Sequence, residues 1–177
     1  MFRGSQKKEP PKDEPFDVDV EHGTIRRKED GIRMMAVGSI GWATIEKELA
    51  STFMTGSAVI LQRMGYSNGR YLGRLAKTRE VAPQGAYEAL QGFARELGYG
   101  EMRLVGGDLY GGQARILVKN CFFCLHIRDS TDPVCNLLGG VIGGVADEII
   151  GSTHRVVEEK CVAKGDNICE FLVERVG

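Results

Sequence analysis

Three of the five cysteines lie in the last third of the chain, close to acidic residues. Cys161 and Cys169 enclose the run Gly165-Asp166-Asn167, which is typical of a tight turn between two strands. Such a turn would bring these two sulfurs together, and Cys135 would have to come from a separate element. Thiolates and carboxylates are both zinc ligands, and four of them in a tetrahedron form a closed structural site. The spacing matches neither a zinc ribbon nor a Cys/His finger, so buried packing cysteines are an equally open interpretation.

Cys121 and Cys124 form a CxxC pair further upstream. The pair lies inside residues 114–127, whose composition predicts a β-strand. Because residues three apart in a strand point to opposite faces, we expect two separate packing cysteines here and no redox or metal pair.

The elements that position these residues follow from hydrophobic periodicity and from turn signals. Short strand patterns over residues 16–26 and 32–37, broken by Gly23 and separated by Gly31, predict an amino-terminal hairpin. A core stripe at helical spacing predicts a first helix; it consists of Trp42, Ile45, Leu49 and Phe53. Further helices are expected over residues 56–77, 83–98 and 135–150, and strands over residues 102–109, 114–127, 154–161 and 168–176. The sequence therefore predicts an α+β fold in which a layer of helices covers an antiparallel sheet.

The predicted last helix contains two glycine pairs at an interval of four, Gly139-Gly140 and Gly143-Gly144. Each glycine costs about 1 kcal/mol relative to alanine inside a helix, so another element must approach this helix closely. We expect that neighbour to be the sheet or a dimer partner and not a bound cofactor.

Length and composition indicate a single domain over residues 16–177. The chain has 177 residues with 42% hydrophobic content, enough for a real core. Residues 1–15 are charged and rich in proline, which predicts a disordered tail. The formal charge of −1 argues against direct nucleic-acid binding by this domain. We expect no membrane association and a cytoplasmic location, because the sequence has no membrane-length apolar run and no signal-peptide pattern at its start.

The carboxy-terminal motif resembles the closing signature of the 4-vinyl reductase domain family. It runs as Cys135, then Glu158-x-x-Cys161, then Lys164-Gly165-Asp166-x-x-Cys169-x-Phe171. The upstream blocks are similar to the amino-terminal half of the effector-sensing domain in bacterial activators of aromatic catabolism. These blocks are Gly31-Ile32-Arg33-Met34-Met35, Ile45-Glu46-Lys47-Glu48-Leu49-Ala50 and Arg63-Met64-Gly65-Tyr66-x-x-Gly69.

The resemblance implies a structural zinc ion that staples the carboxy-terminal hairpin, with Cys135, Glu158, Cys161 and Cys169 as ligands. Strict strand alternation would instead place Glu159 on the face of Cys161. A bulge would reconcile the two, and Glu159 stays an alternative ligand. We expect His154, further along the same strand, to lie at the surface or just outside the metal ligands.

The resemblance also implies a sensor module that binds a small apolar or aromatic molecule and relays its occupancy to a partner or output domain, as in transcription regulation. A homodimer through the amino-terminal half is expected, with Trp42 and Phe53 either at its surface or in the core. Large side chains on segments expected to face each other predict a ligand cavity between helices and sheet, lined by Tyr87, Phe93, Phe122 and Leu125. Small residues at Gly139 and Val156, where some sensors have aromatics, favour a ligand larger than phenol.

Two other classes of function stay open. One is a reductase or pigment-handling enzyme of tetrapyrrole metabolism, although the sequence has no P-loop, no nucleophile elbow and only three histidines, which gives catalysis little support. The other is an assembly adapter related to vesicle-tethering subunits. A reductase would need a bound nicotinamide or flavin, and an adapter would need a large exposed apolar patch without a closed cavity.

Overall fold

The computed structural model describes residues 15–176, which fall into two compact units, Met1–Val37 and Gly38–Gly177. The predicted disordered tail lies outside the described residues except for residue 15, and it stays a prediction. Among the described residues, none of the helices has the length and apolar content needed to cross a membrane.

The first unit contains a small antiparallel sheet. Its strands are β1 (Phe16–Asp19), β2 (Thr24–Arg27) and β3 (Arg33–Met34), in the order β1-β2-β3. Gly23 and Gly31 lie between the strands with φ of 61° and 71°, a left-handed conformation that glycine adopts without strain. The predicted amino-terminal hairpin is therefore present, with its turn near Gly23 and with a short third strand added.

The second unit consists of four α-helices and a four-stranded antiparallel sheet of order β4-β5-β7-β6. The helices are α1 (Ser39–Phe53), α2 (Gly56–Thr78), α3 (Ala86–Glu96) and α4 (Asn136–Ile150). The strands are β4 (Glu101–Asp108), β5 (Gln113–Lys119), β6 (His154–Lys160) and β7 (Cys169–Arg175). Because α3 packs on β4 and α4 packs on β6, the predicted α+β class is confirmed.

Helix α1 differs from its predicted role as a core helix. Trp42 is half-buried and packs edge-on against Phe123, with ring centroids 5.5 Å apart. Ile45 and Phe53, however, are 49% and 52% exposed. The buried residue of α1 is Glu46, whose carboxylate accepts a hydrogen bond of 3.0 Å from the Trp42 indole N–H. Helical spacing identified the helix correctly but not which of its residues are buried.

Helices α2 and α4 pack so closely that their backbones touch through glycines. A Cβ at Gly65 would lie 1.9 Å from the Leu137 carbonyl oxygen, and one at Gly140 would lie 2.1 Å from that of Gln62. The predicted close approach is therefore real, but the neighbour at Gly140 is α2 and not the sheet. Gly139 faces the other way, toward Phe171 of β7 at 3.7 Å. We call the α2–α4 contact the glycine seam; its glycines are Gly65, Gly69, Gly73, Gly140 and Gly144.

Candidate metal centre and ligand pocket

Three cysteines from separate segments meet at one end of α4. Cys135 is the residue before the first turn of α4, Cys161 directly follows β6, and Cys169 begins β7. All three are fully buried. The Cys135 sulfur lies 3.9 Å from that of Cys161 and 3.8 Å from that of Cys169. These separations agree with about 3.8 Å, the edge of a tetrahedron of sulfurs around Zn²⁺ at 2.3 Å.

The turn between β6 and β7 fixes the position of Cys161. Gly165 has φ of 97°, a value that glycine supplies without strain. The Asp166 carboxylate then accepts a hydrogen bond of 2.8 Å from the Cys161 backbone N–H. The Gly-Asp pair in the sequence thus closes the loop and holds one sulfur against the others.

Glu158 is the acid that the structure brings to the cysteines. The register of β6 against β7 shifts between Glu158 and Lys160, so a bulge at Glu159 interrupts the strand alternation. Glu158 Oε2 accepts a hydrogen bond of 2.9 Å from the Cys135 N–H. Glu159, in contrast, forms an ion pair with Arg115.

The second carboxylate oxygen of Glu158 is buried and has no hydrogen-bond partner within residues 15–176. Desolvation by burial raises the pKa of Glu158 to about 8, and the neighbouring Cys161 contributes to the rise. A buried, unpartnered carboxylate oxygen beside thiols is costly unless a cation or a proton satisfies it. The donor set of Cys135, Glu158, Cys161 and Cys169, all within 4.8 Å of one another, therefore fits Zn²⁺.

Cys121 and Cys124 also belong to this cluster, which corrects the expectation of two separate packing cysteines. Strand β5 ends at Lys119, and Asn120 has φ of 54°, a left-handed conformation that ends the strand. The CxxC therefore lies in a turn, where both sulfurs converge. The Cys121 sulfur is 3.5 Å from that of Cys135, and the Cys124 sulfur is 3.5 Å from that of Cys169. Asparagine directly after an apolar strand was the available signal for an early strand end.

A pocket of about 410 Å³ opens beside α2, α4 and β6. This volume lies within the range of roughly 300 to 1,000 Å³ for small-molecule sites. Its walls combine the small faces of α4 with aromatic, imidazole and guanidinium groups. The lining residues are Gln62, Arg63, Tyr66, Ser67, Arg70, Gly139, Gly140, Gly143, His154 and Val156.

His154 is a buried polar residue of this pocket, so the expectation of a surface position is wrong. Its side chain is 0% exposed, and its Nδ1 lies 2.9 Å from Asp147 Oδ1. The second oxygen of Asp147 accepts a hydrogen bond of 2.9 Å from the Tyr66 hydroxyl. His154 Nε2 is buried and has no hydrogen-bond partner in the part of the chain that the structure describes. In the neutral ring the Nδ1 proton is donated to Asp147, so Nε2 is a hydrogen-bond acceptor.

The side chains of His154, Val156 and Glu158 share one face of β6, because they alternate along the strand before the bulge. Glu158 accepts the hydrogen bond from Cys135 at the start of α4, and Val156 lies 3.3 Å from the Cβ position of Gly143. One strand therefore connects the pocket to the cysteine cluster. Period-two spacing of these three residues was the sequence signal that could have identified His154.

The four predicted cavity residues are not among those lining this pocket. The Tyr87 hydroxyl accepts a hydrogen bond of 2.8 Å from the Leu104 N–H of β4, and Phe93 is buried in the core. Phe122 packs edge-on against Phe123, and Leu125 is 44% exposed. Their role as ligand contacts stays a prediction.

A second, broader groove of about 1,310 Å³ lies beside α1 and the residues before α4. Glu46 lines it, and desolvation by burial raises the pKa of Glu46 to about 7. Its volume exceeds the usual range for a small-molecule site. The smaller pocket, with its buried acceptor, is the better candidate.

Comparison with known proteins identifies a domain in the carboxy-terminal part of the chain. Residues 114–175 match the family model of the vinyl-4-reductase domain. This stretch contains α4, β6, β7 and nearly all of β5, and with them all five cysteines. The resemblance to the 4-vinyl reductase domain family that the motif predicts is thereby confirmed.

Two relatives are uncharacterized proteins from Methanocaldococcus jannaschii. One, MJ0745, is 29% identical over 120 residues, which are 68% of this chain and 58% of that protein. The other, MJ0150, is 25% identical over 109 residues, or 62% of each chain. The chain thus spans about 60% of the length of these relatives.

Solved structures share the fold at low sequence identity. The phenol-responsive sensory domain of the transcription activator PoxR, solved with phenol, gives a TM-score of 0.75 with 21% identity, covering 91% of this chain and 85% of that chain. A vinyl-4-reductase family protein from Methanocaldococcus jannaschii gives 0.58 with 17% identity, covering 81% and 85%. A trafficking protein particle complex subunit 3 from Naegleria fowleri, covalently bound to palmitic acid, gives 0.60 with 12% identity, covering 78% and 93%.

Proposed function

We propose that this chain is a zinc-containing sensor module that binds a small apolar or aromatic molecule carrying a hydroxyl group and relays its occupancy to a partner or output domain. The observation that carries the proposal is the unpartnered Nε2 of His154 in the 410 Å³ pocket beside the cysteine cluster. The shared fold with a phenol-responsive sensory domain supports this class of function.

The pocket suits a ligand with an apolar body. Gly139 and Gly143 on α4 and Val156 on β6 present small apolar surfaces, and the Tyr66 ring lies within 3.9 Å of the Cβ position of Gly143. Pockets that bind small molecules are usually lined by such groups, with few polar anchors that fix the orientation. A molecule larger than phenol would fill this volume.

The polar anchor is His154. A buried acceptor without a partner is destabilising, and a ligand hydroxyl that donates to it satisfies it. Asp147 orients the ring through Nδ1, so the acceptor is held in place before the ligand arrives. This arrangement favours ligands that donate one hydrogen bond over apolar analogues of the same shape.

Zinc in this proposal has a structural role. Cys135, Glu158, Cys161 and Cys169 would hold it with all four positions filled by protein, which leaves no open position for a substrate. The ion would tie the start of α4 to the hairpin of β6 and β7. A ligand that pushes on Val156 would then move a strand that is anchored two residues later at Glu158, and this is the proposed route of the relay.

A thermal-shift comparison of matched compounds tests the ligand class. We expect 1-naphthol to raise the melting temperature and 1-methylnaphthalene, which has nearly the same shape, to raise it less, because a ligand that binds only the folded state stabilises it by mass action. His154→Asn should abolish the difference between the two compounds, about tenfold in affinity for one lost hydrogen bond. Asparagine can keep the bond to Asp147 but has no atom at the Nε2 position.

The control for the pocket itself is Val156→Trp, which fills the space and should abolish binding of both compounds. Tyr87→Phe, outside the pocket, should leave binding unchanged. Equal shifts from the two naphthalenes in the wild-type protein would contradict the assigned role of His154. No shift from a wider set of aromatic and terpenoid alcohols would contradict the sensor function.

We further propose that the chain forms a homodimer in which α1 takes part. Phe53 and Met54 at its end are 52% and 78% exposed, and Ile40 at its start is 70% exposed. Trp42 is engaged with Phe123 within its own chain, so it does not contribute to this surface. Light scattering at micromolar concentration should give the mass of a dimer, and Phe53→Glu should shift it toward the monomer. Thr44→Glu on the same helix serves as the control, and a monomeric wild-type protein would contradict the proposal.

A further inference from the structure

The cysteine cluster offers more ligands than one zinc ion can use. Six donor side chains form two sets of four, and within each set the ligand atoms lie within 4.8 Å of one another. The first set is Cys135, Glu158, Cys161 and Cys169; the second is Cys121, Cys124, Cys135 and Cys169. Both sets contain Cys135 and Cys169, whose sulfurs are 3.8 Å apart.

We propose that this chain binds two zinc ions in a thiolate-bridged pair, in which Cys135 and Cys169 are shared between the ions. This inference rests on the proposed zinc site and adds a second ion to it. Cys121 and Cys124 complete the tetrahedron of the second ion, as Glu158 and Cys161 complete that of the first. Each ion then has four protein ligands, which is the coordination number of structural zinc sites.

The sulfur distances favour zinc ions over an iron–sulfur cluster. The separations from Cys121 to Cys135 and from Cys124 to Cys169 are both 3.5 Å, and the others recorded among the sulfurs are 3.8 and 3.9 Å. These are the distances between two ligands of the same ion, about 3.8 Å for Zn–S bonds of 2.3 Å. An inorganic core of iron and sulfide would have to lie between the cysteines, and this spacing leaves no room for it.

Charge supports the second ion. With one ion in the first set, Cys121 and Cys124 would be two buried thiols in contact with the sulfurs of a negatively charged zinc site. Five thiolates and one carboxylate carry six negative charges, and one Zn²⁺ offsets two of them. A second Zn²⁺ offsets two more, and the five thiol protons are released to the solvent as the ions bind. Shared thiolates lower the negative charge that each ion must carry in a buried site.

The local structure that collects the extra ligands is specific. The turn after β5 places both sulfurs of the CxxC on the cluster side, and the Cys124 sulfur also lies 3.9 Å from the Cys121 carbonyl oxygen. Arg128 donates a hydrogen bond of 3.2 Å to the Cys124 carbonyl oxygen and so fixes the other side of the turn. The two cysteines are buried, so solvent does not compete for them.

Metal counting on the purified full chain tests the inference. Native mass spectrometry and elemental analysis should find two zinc ions per wild-type chain and one in the double variant Cys121→Ser, Cys124→Ser. In the metal-free wild-type protein, thiolate-to-cobalt charge-transfer absorption should rise up to two equivalents of Co²⁺. This titration does not depend on how well the variant folds, and circular dichroism reports the folding of the variant.

The outcomes separate this inference from the proposed function. One zinc ion in both the wild-type protein and the double variant would overturn the second ion and leave the first in place. One ion in the wild-type protein and none in the double variant would also overturn it, because the ion would then use the CxxC set. No zinc in either protein, together with no cobalt absorption, would overturn both proposals.

Discussion

Cys135→Ser is expected to remove all bound zinc and to lower the free energy of unfolding by at least about 3 kcal/mol, because the binding free energy of a structural metal is part of the folding free energy. For a chain of this size the melting temperature should fall by about 10 °C. Cys135 joins the start of α4 to the hairpin of β6 and β7, and its sulfur belongs to both four-ligand sets. Metal analysis and a thermal melt measure the two effects.

A chelator supplies the control for this prediction, since all five cysteines lie in the cluster. Chelation should lower the melting temperature of the wild-type protein toward that of the Cys135→Ser variant. The variant itself should not respond to the chelator. If the variant and the chelator act additively, or if the melting temperature of the wild-type protein ignores the chelator, the structural role of the metal is wrong.

Gly140→Ala is expected to destabilise the protein by more than about 3 kcal/mol, because the new methyl group would meet backbone and not a flexible side chain. Its Cβ would lie 2.1 Å from the Gln62 carbonyl oxygen and 2.7 Å from the Tyr66 nitrogen. Helix α2 would have to move away from α4 along the whole seam. Denaturant unfolding, with the slope checked for two-state behaviour, measures the loss.

The neighbouring Gly139 is the matched control. A Cβ there would meet its nearest atom, in Phe171, at 3.7 Å, which is an ordinary contact. Alanine is favoured over glycine in a helix by up to about 1 kcal/mol, so Gly139→Ala should be neutral or stabilising. If the two variants lost equal stability, the close packing of the helices would not explain the cost at Gly140.

The sequence predicted the order and type of most elements because their signals are local. Apolar spacing, Pro83 before α3 and Gly151 after α4 identify helices and their ends, and α2 runs unbroken through Gly65 and Gly69 as tertiary contact with α4 outweighs helix propensity. The length of β5 was wrong, since apolar residues continue to residue 127 while the backbone turns at Asn120. That error separated Cys121 from Cys124 in the prediction.

The candidate site was predictable only where ligands follow a motif. The motif and the turn chemistry identified Cys135, Cys161 and Cys169, and the bulge at Glu159 explains why Glu158 faces them. The pocket depends on contacts between distant segments, such as Tyr66 with Asp147, whose residues are 81 positions apart. No local pattern encodes such a contact, and the environment of His154 could not be read from its neighbours in the chain.

The glycine seam determines which parts of this unit can move against each other. With backbone against backbone, α2 and α4 have no layer of side chains between them whose rotamers could change, and close-packed interfaces do not deform continuously. The two helices therefore behave as one rigid lever. Any displacement produced in the pocket has to pass into β6, the wall that contacts α4 through the side chain of Val156.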